Sequence, residues 1–357
     1  MGGAATYFGG LLPVAARHLE IESIHVITER GVGAPSGEMN GRLSIERALP
    51  TRIGAPRRTR LEHAASYIGT QLWLAAHLPD RVRSTGADLV HVHTRFRGRM
   101  FFWALRRCGV PIVADLRDRR TDLAPWLQVA DRLVCVIESV RLEAIAAGFP
   151  EGRTAVVRTP LIIPPSLLAD PLGAARVAAE RHGLGSAPYV LSVGDIAPHK
   201  GIPELVAGFG RFRAAHPEAR LVVAGVNHGG TSMAAALDAA PGVMRLGPVP
   251  REEALALMAG AAVVIRPSHP SEGLPRVIHE AVAMGAKVVA PPGIPELDAA
   301  MPESVLDAVT PEAIERALEA AWRRTGPPAL DLSAHAPERV AEALVKVYRS
   351  TVGGVVW

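Results

Sequence analysis

The sequence predicts an α/β protein built from two doubly wound, Rossmann-like parallel sheets, and three observations lead there. The chain has 357 residues, more than one hydrophobic core usually supports, so two domains of about 150 residues each are expected. Continuous β-rich apolar runs alternate with helical segments along both halves, the pattern of parallel strands covered on both faces. A Pro-rich stretch and a short Ala-rich helix ending at His182 and Gly183, together spanning 159–188, separate two blocks of that alternation. The division expected is 1–165 for the first domain, 166–188 for a linker and 189–335 for the second domain, with 336–357 forming a terminal helix that crosses back to the first.

Composition narrows the class. Hydrophobic residues make up 48% of the chain, enough to fill two cores. No uninterrupted apolar run approaches the roughly 18 to 20 residues of a membrane helix, and the start lacks the charged-then-apolar layout of a signal peptide, so a cytoplasmic protein is expected. Cys108 and Cys135 each sit in an apolar segment, with no disulfide framework and no metal-ligand spacing, and read as inert core residues. Of 39 basic residues 36 are Arg, and the net charge is +4. Clusters at Arg57, Arg58 and Arg60, at Arg95, Arg97 and Arg99, and at Arg117, Arg119 and Arg120 favour anionic partners: phosphates, an anionic membrane face or nucleic acid. Peripheral contact with the inner membrane face through these clusters is one expectation; arginines that merely decorate solvated faces explain the same bias. Aromatic residues at 4% supply no aromatic-interleaved basic surface, so nucleic-acid binding is not expected.

In chain order, Gly2 and Gly3 stand directly ahead of an amphipathic stretch whose apolar positions Phe8, Leu11, Leu12, Ala15, Ala16 and Leu19 keep helical spacing. A glycine loop opening a helix suits an anion. Such a loop normally follows a strand, and no residues stand ahead of it to build one, so the first strand is expected to be missing from a truncated start. Strands are then expected over 24–28, 89–93, 112–116, 133–137 and 155–158, with helices over 61–78, 99–108 and 141–147. Residues 31–60, rich in Gly, Pro and Arg, read as an irregular connection of a length that is often functional. The second block gives strands over 189–194, 220–225, 243–247, 261–266 and 287–290. Its helices fall over 202–215, 232–240 and 251–258, with another opening at Pro275, and a last helix over 337–348 closes the chain. No sequence repeat links the two blocks.

The densest chemistry lies in 263–296. An apolar run ends in Arg266, Pro267 and Ser268, a loop carries Glu272 and Gly273, and a helix opens at Pro275 with Glu280 one turn inside. Two carboxylates eight residues apart can converge on one pocket, which makes this stretch a ligand site. Open parallel sheets place such a crevice at the carboxyl ends of their strands.

The segment EGLPRVIHEAVAMG, followed by a strand and GIPEL, and preceded by SVGDIAPHKGIPELVAGF and LGPVPREEALALMAGAAVVIRPS, resembles the nucleotide-sugar domain of retaining glycosyltransferases of family 4. The likeness is dense over 189–297. It is thinner in the first half, where Gly2 and Gly3, DLVHVH at 88–93 and PIVADLRD at 111–118 carry it. The resemblance implies the GT-B fold, two Rossmann-like domains facing across a cleft, with a nucleotide-sugar donor on the second domain and a hydroxyl acceptor on the first. That acceptor would be a glycan, a lipid-linked molecule or a secondary metabolite.

Residue by residue, the resemblance assigns Glu280 to the ribose diol, which a carboxylate can accept through both oxygens; an i,i+4 salt bridge with Arg276 would explain Glu280 structurally. Glu272 would accept from a sugar hydroxyl. The backbone N–H groups of Gly273 and Leu274 would meet a phosphate or hexose oxygen, with Pro275 losing nothing by lacking an N–H at the first helical position. Lys200 would offer a point charge to the departing diphosphate, and Gly2 and Gly3 would lie on the donor side. Asp195 stands where relatives usually carry Arg, so Arg266 or an arginine of the first domain compensates, or the diphosphate is held differently.

In the first domain, His93 would lie at the donor sugar and the reacting carbon, while His91 is expected on the other face of its strand. Asp115, Arg117 and Asp118 replace a pattern that commonly ends in histidine and become acceptor-side candidates, or a structural ion pair.

The implied reaction is front-side glycosyl transfer with retention, His93, Lys200 and Glu272 being the catalytic set and the leaving phosphate taking the acceptor's proton. No Asp-x-Asp pair ends a strand and no His/Cys cluster has ligand spacing, so neither metal nor cofactor is expected. Three rivals stay open: a catalytically silent relative that binds nucleotide sugar or partners a glycosyltransferase, a nucleic-acid binder, and a sugar-nucleotide epimerase.

Overall fold

The computed structural model describes residues 3–31, 35–53, 60–94, 98–119, 121–269 and 274–353. The chain divides into two compact units, Met1–Pro160 with Ala334–Trp357, and Leu161–Ser333. Both are α/β, with predominantly parallel sheets, as the alternation predicts.

Unit 1 begins with α1 (Gly3–Ala15), β1 (Ile24–Gly31), β2 (Gly37–Asn40), β3 (Leu43–Ile53), α2 (Arg60–Thr85) and β4 (Val90–His93). It continues with α3 (Arg99–Arg106), β5 (Ile112–Leu116), α4 (Ala124–Leu127), β6 (Arg132–Cys135), α5 (Glu138–Ala146) and β7 (Thr154–Val156). Strands β4, β5, β6 and β7 form one parallel sheet in that order.

Two expectations are corrected here. The strand over 24–28 does not join that sheet; β1 pairs in parallel with β3 in a separate three-stranded sheet, ordered β1-β3-β2. Residues 31–60 are correspondingly not a bare connection, since 37–53 fold into an antiparallel hairpin in which Asn40 faces Leu43 across Gly41 and Arg42. The turn is carried by Gly41 at its first central position, which supplies the positive φ of 58°.

Unit 2 runs through α6 (Pro165–Ala169), α7 (Pro171–Arg181), β8 (Tyr189–Val193), α8 (Ile202–Ala215), β9 (Arg220–Ala224), α9 (Gly230–Ala239) and β10 (Val243–Gly247). Then come α10 (Arg251–Gly260), β11 (Val263–Ile265), α11 (Arg276–Ala283), β12 (Val288–Val289), α12 (Pro295–Ala300) and α13 (Pro311–Arg323). The five strands are all parallel, in the order β10-β9-β8-β11-β12. The short helix expected within 166–188 is α7: Asp170 caps it by accepting from Gly173 N–H at 2.8 Å, Ala175 and Ala178 are buried, and Arg181 and His182 both reach Glu253 of α10 at 3.0 Å.

Helix α13 was not among the expected elements, though Thr310 announces it. Its side chain accepts from Ala313 N–H at 3.2 Å, and Pro311 takes the first helical position. Its Ile314, Leu318 and Ala321 pack with Phe209 and Phe212 of α8 over Val190, Leu221, Val263 and Val289 of the sheet.

The last helix, α14 (Pro337–Val352), belongs to unit 1. Its Val340, Ala341, Leu344 and Val347 join Leu11 and Ala15 of α1 on Val113, Val134 and Val157. Among the described residues no helix is long and apolar enough to cross a membrane.

Candidate functional site

Unit 2's strand order fixes where a ligand can enter. From β8 the chain winds outward through β9 and β10, then returns to β11 on the other side of β8. The order reverses between β8 and β11, and an open α/β sheet presents its crevice at the carboxyl ends of such a pair. Leaving those ends are the loop 194–201 and the described residues 266–269 and 274–275, among which stand Asp195, Lys200, Arg266, Leu274 and Pro275.

These two loops are pressed together. Gly201 caps α8 with φ 69°, and a Cβ there would lie 1.9 Å from the Pro267 carbonyl oxygen, so no other residue fits. Gly194 plays a similar part: its Cβ would meet Arg266 Nη1 at 2.5 Å. The Arg266 guanidinium therefore lies across the Gly194 backbone, with Nη1 donating to the Val193 carbonyl at 3.2 Å. Burial pushes the Arg266 pKa down to about 10, with Asp195 working against that shift. Asp195 itself is exposed, its Oδ1 3.5 Å from His228 Nε2. Arg266 and His228 are thus the basic groups found near Asp195.

Lys200 is half-buried at the end of the short turn Pro198–Lys200, immediately before α8. The turn is joined to the opposite loop a second time, His269 N–H donating to the His199 carbonyl at 3.2 Å. Ser268 is 1% exposed, and its hydroxyl has no hydrogen-bond partner among the described residues.

Helix α11 starts one residue later than expected. Pro275 is its N-cap with extended backbone (φ −73°, ψ 105°), and Arg276 is the first helical residue. Pro275 still sits where an N–H would find no intrahelical partner. Glu280 is buried on this helix, and its Oε1 accepts from Arg251 Nη2 at 2.8 Å. Arg251 also donates to the Ile162 carbonyl at 2.5 Å, and its buried Nε has no partner among the described residues. The ion pair found for Glu280 thus runs to α10 rather than along its own helix to Arg276. Sequence spacing could not show this, because the two residues are 29 positions apart on different helices.

Glu272, Gly273 and Gly2 lie outside the described residues, as do Arg57, Arg58, Arg95, Arg97 and Arg120. Gly3 is the first residue of α1.

In unit 1, His93 ends β4 opposite Asp115 of β5. His91 and His93 share one face of the strand, both edge-on to Phe8 with ring centroids 6.0 and 6.1 Å away. The expectation that they part to opposite faces is wrong because side chains alternate with period two, so residues two apart align. His91 Nδ1 is hydrogen-bonded to the Tyr348 hydroxyl at 2.7 Å, and burial lowers its pKa to about 4.

Asp115 is fully buried and accepts from Arg117 Nε through both oxygens, at 2.9 and 3.1 Å; Arg117 Nη1 donates onward to Thr159 Oγ1 at 2.9 Å. That pair is internal to unit 1. Asp118 instead lines a cavity of about 320 Å³ with Arg119, Asp122 and Glu143. Among the described residues no group of three or more His, Cys, Asp or Glu side chains is arranged to hold a metal ion.

Residues 187–324 match the family described as Glycosyl transferases group 1. No curated protein matches the chain. Among solved structures it is similar to sucrose-phosphate synthase from Thermosynechococcus elongatus, at 18% identity and TM-score 0.69 over 99% of this chain and 94% of that one. It is also similar to α,α-trehalose 6-phosphate synthase from Burkholderia multivorans (14% identity, TM-score 0.61, 94% of each chain). A third is Anabaena HepE in complex with UDP and glucose (16% identity, TM-score 0.56, 79% of this chain and 80% of that one). At such identities the likeness is one of fold. The chain has the α/β fold of GT-B glycosyltransferases, and its second unit contains a glycosyltransferase group 1 domain.

Proposed function

We propose that the chain is a retaining, metal-independent glycosyltransferase of family 4 that moves a hexose-type sugar from a nucleoside-diphosphate sugar to a hydroxyl acceptor. The observation that carries this reading is the pressed pair of loops at the β8/β11 switch point, which gathers Lys200, Arg266 and the start of α8 at the carboxyl end of one sheet, with Glu280 on the helix that follows. A diphosphate needs cations and helix N-terminal N–H groups, and a ribose diol needs a carboxylate.

Lys200 stabilises charge on the phosphate as the anomeric C–O bond breaks, and the acceptor oxygen bonds to the same face of that carbon. The acceptor's proton passes to a phosphate oxygen, so no second carboxylate is required as base. Glu272 is assigned the sugar hydroxyl and Glu280 the ribose. The proposal draws its donor residues from unit 2 alone.

Nucleoside diphosphate release, followed with a panel of nucleotide sugars and hydroxyl acceptors, tests the reading. UDP-glucose comes first, because the similar Anabaena HepE was solved with UDP and glucose. Retention requires that the product keep the donor's anomeric configuration by NMR, and turnover must survive a chelator. An inverted product or a chelator-sensitive rate rejects those parts of the proposal. Asp195, in the place of a relative's arginine, favours one alternative, a nucleotide-sugar binder without turnover; binding across the panel with no diphosphate release would establish it.

A further inference from the structure

The exposed apolar surface of unit 1 is concentrated on one joined pair of helices. Through its first turns α2 buries no described residue: Leu61, Glu62, Ala64, Ala65, Tyr67 and Ile68 are all exposed, and the first buried position is Thr70. Leu61 is 82% exposed, Ile68 55% and Leu72 52%. Their spacing of seven and four places them along one helix face over about 16 Å. The buried residues Gln71, Leu74, Leu78 and Val82 lie on another.

Helix α3 is fastened to this one by Gln71, whose Oε1 accepts from Phe101 N–H at 3.1 Å. It turns Phe101, Ala104 and Leu105 inward and leaves Met100 and Trp103 exposed. Arg99, Arg106 and Arg107 are exposed on the same helix, which has no acidic residue, and the Arg107 guanidinium lies 4.6 Å from the Trp103 ring centroid.

A soluble surface seldom shows this much apolar area without a partner. The chemistry selects which. Leucine and isoleucine on a helix face beside an exposed tryptophan and arginines with no carboxylate on their own helix, although Arg106 also donates to Gln128 Oε1 at 2.8 Å, form the pattern of an interfacial helix, apolar side down and guanidinium groups at headgroup level. A second copy would bring the same three arginines of α3 to a two-fold contact, where like charges oppose pairing. We propose that unit 1 docks on an anionic lipid bilayer through α2 and α3, with Leu61, Ile68, Leu72 and Trp103 entering the headgroup layer and Arg99, Arg106 and Arg107 meeting lipid phosphates. This site does not depend on the assigned transferase reaction.

Vesicle flotation of the full chain tests it, comparing phosphatidylcholine vesicles with vesicles that also contain phosphatidylglycerol. The expected result is at least about tenfold more protein on the anionic vesicles at physiological ionic strength, falling as salt is raised. The double variant Ile68→Ser/Leu72→Ser changes exposed positions only. It is expected to keep the thermal midpoint and lose vesicle binding by about fivefold or more. Absence of binding to either vesicle overturns the proposal, and so does binding that the double variant leaves unchanged. A dimer formed without lipid and dissociated by the double variant also overturns it, assigning the surface to a second copy.

Discussion

Arg251 Nη2 donates to Glu280 Oε1 at 2.8 Å and to the Ile162 carbonyl at 2.5 Å, so one guanidinium ties α11 to α10 and to the segment entering unit 2. It fixes the carboxylate's orientation. Removing the arginine leaves the buried Glu280 carboxylate without its cation, although Arg251 itself is partly exposed. Arg251→Gln is therefore expected to raise KM for the nucleotide sugar about tenfold, a cost of about 1.4 kcal/mol, with a smaller change in kcat. Glu280→Gln should act in the same direction, and the double variant should cost less than the sum of the two. Steady-state kinetics on all three tests the coupling; independent, additive effects would mean that Arg251 does not act through Glu280.

Gly201 gives a prediction about stability. Alanine at φ 69° is strained, and its Cβ would collide with the Pro267 carbonyl, so Gly201→Ala should destabilise the protein by about 3 kcal/mol in urea unfolding. Gly210→Ala is the control. It lies within α8 with no heavy atom within 4 Å of the new Cβ, and should stabilise by about 0.5 to 1 kcal/mol.

Lys200 is assigned to the departing phosphate, where charge grows as the bond breaks. Lys200→Ala should lower kcat about 100-fold and raise the donor KM far less, with Lys200→Arg partly restoring the rate. Equal losses in donor binding by calorimetry and in kcat/KM would instead make it a ground-state ligand.

His91 makes unit 1 sensitive to acid. Burial lowers its pKa from 6.5 to about 4; Asp115 opposes that shift, while Arg117 and His93 reinforce it. Between those values the unfolded chain binds a proton that the folded chain does not, so stability falls as pH drops from 6.5 toward 4 and levels off below. The full contribution is about 3 kcal/mol at most. Urea midpoints across that range should show the decline, and His91→Gln should flatten it.

Burial also governs the cysteines, raising the Cys108 pKa to about 11 and that of Cys135 to about 12. Neither should react with a disulfide reagent in the native state at neutral pH, and both should react in denaturant.

What could be read from the chain depended on whether the signal was local. The strand-helix alternation of 189–290 reports burial on both faces, and it located β8 to β12 within a residue or two. Asp195, Arg266 and Glu280 were visible because each follows a strand or opens a helix. Arg251 was not, since its partner comes from tertiary packing. The sheet containing β1 is not legible for a related reason: Gly37–Asn40 is exposed throughout, and Leu43–Ile53 is interrupted by Glu46, Arg47 and Pro50, so neither has the apolar continuity of a buried strand. The shared face of His91 and His93 is fully legible in the sequence, because residues two apart occupy like positions of the pleat.

Thr159 and His335 sit where the chain leaves unit 1 and where it returns, and His335 Nδ1 is hydrogen-bonded to the Thr159 carbonyl at 2.7 Å. Unit 1 is therefore a discontinuous folding unit, its sheet laid down early and its covering helix α14 supplied last. During synthesis Val113, Val134 and Val157 must wait, with α1 but not α14 to cover them, until the whole of unit 2 has been made. The loop that closes at Thr159 is long, but closure entropy grows slowly with length, so the burden falls on the time course more than on final stability. Unit 1 is thus the part of the nascent chain most in need of protection from aggregation.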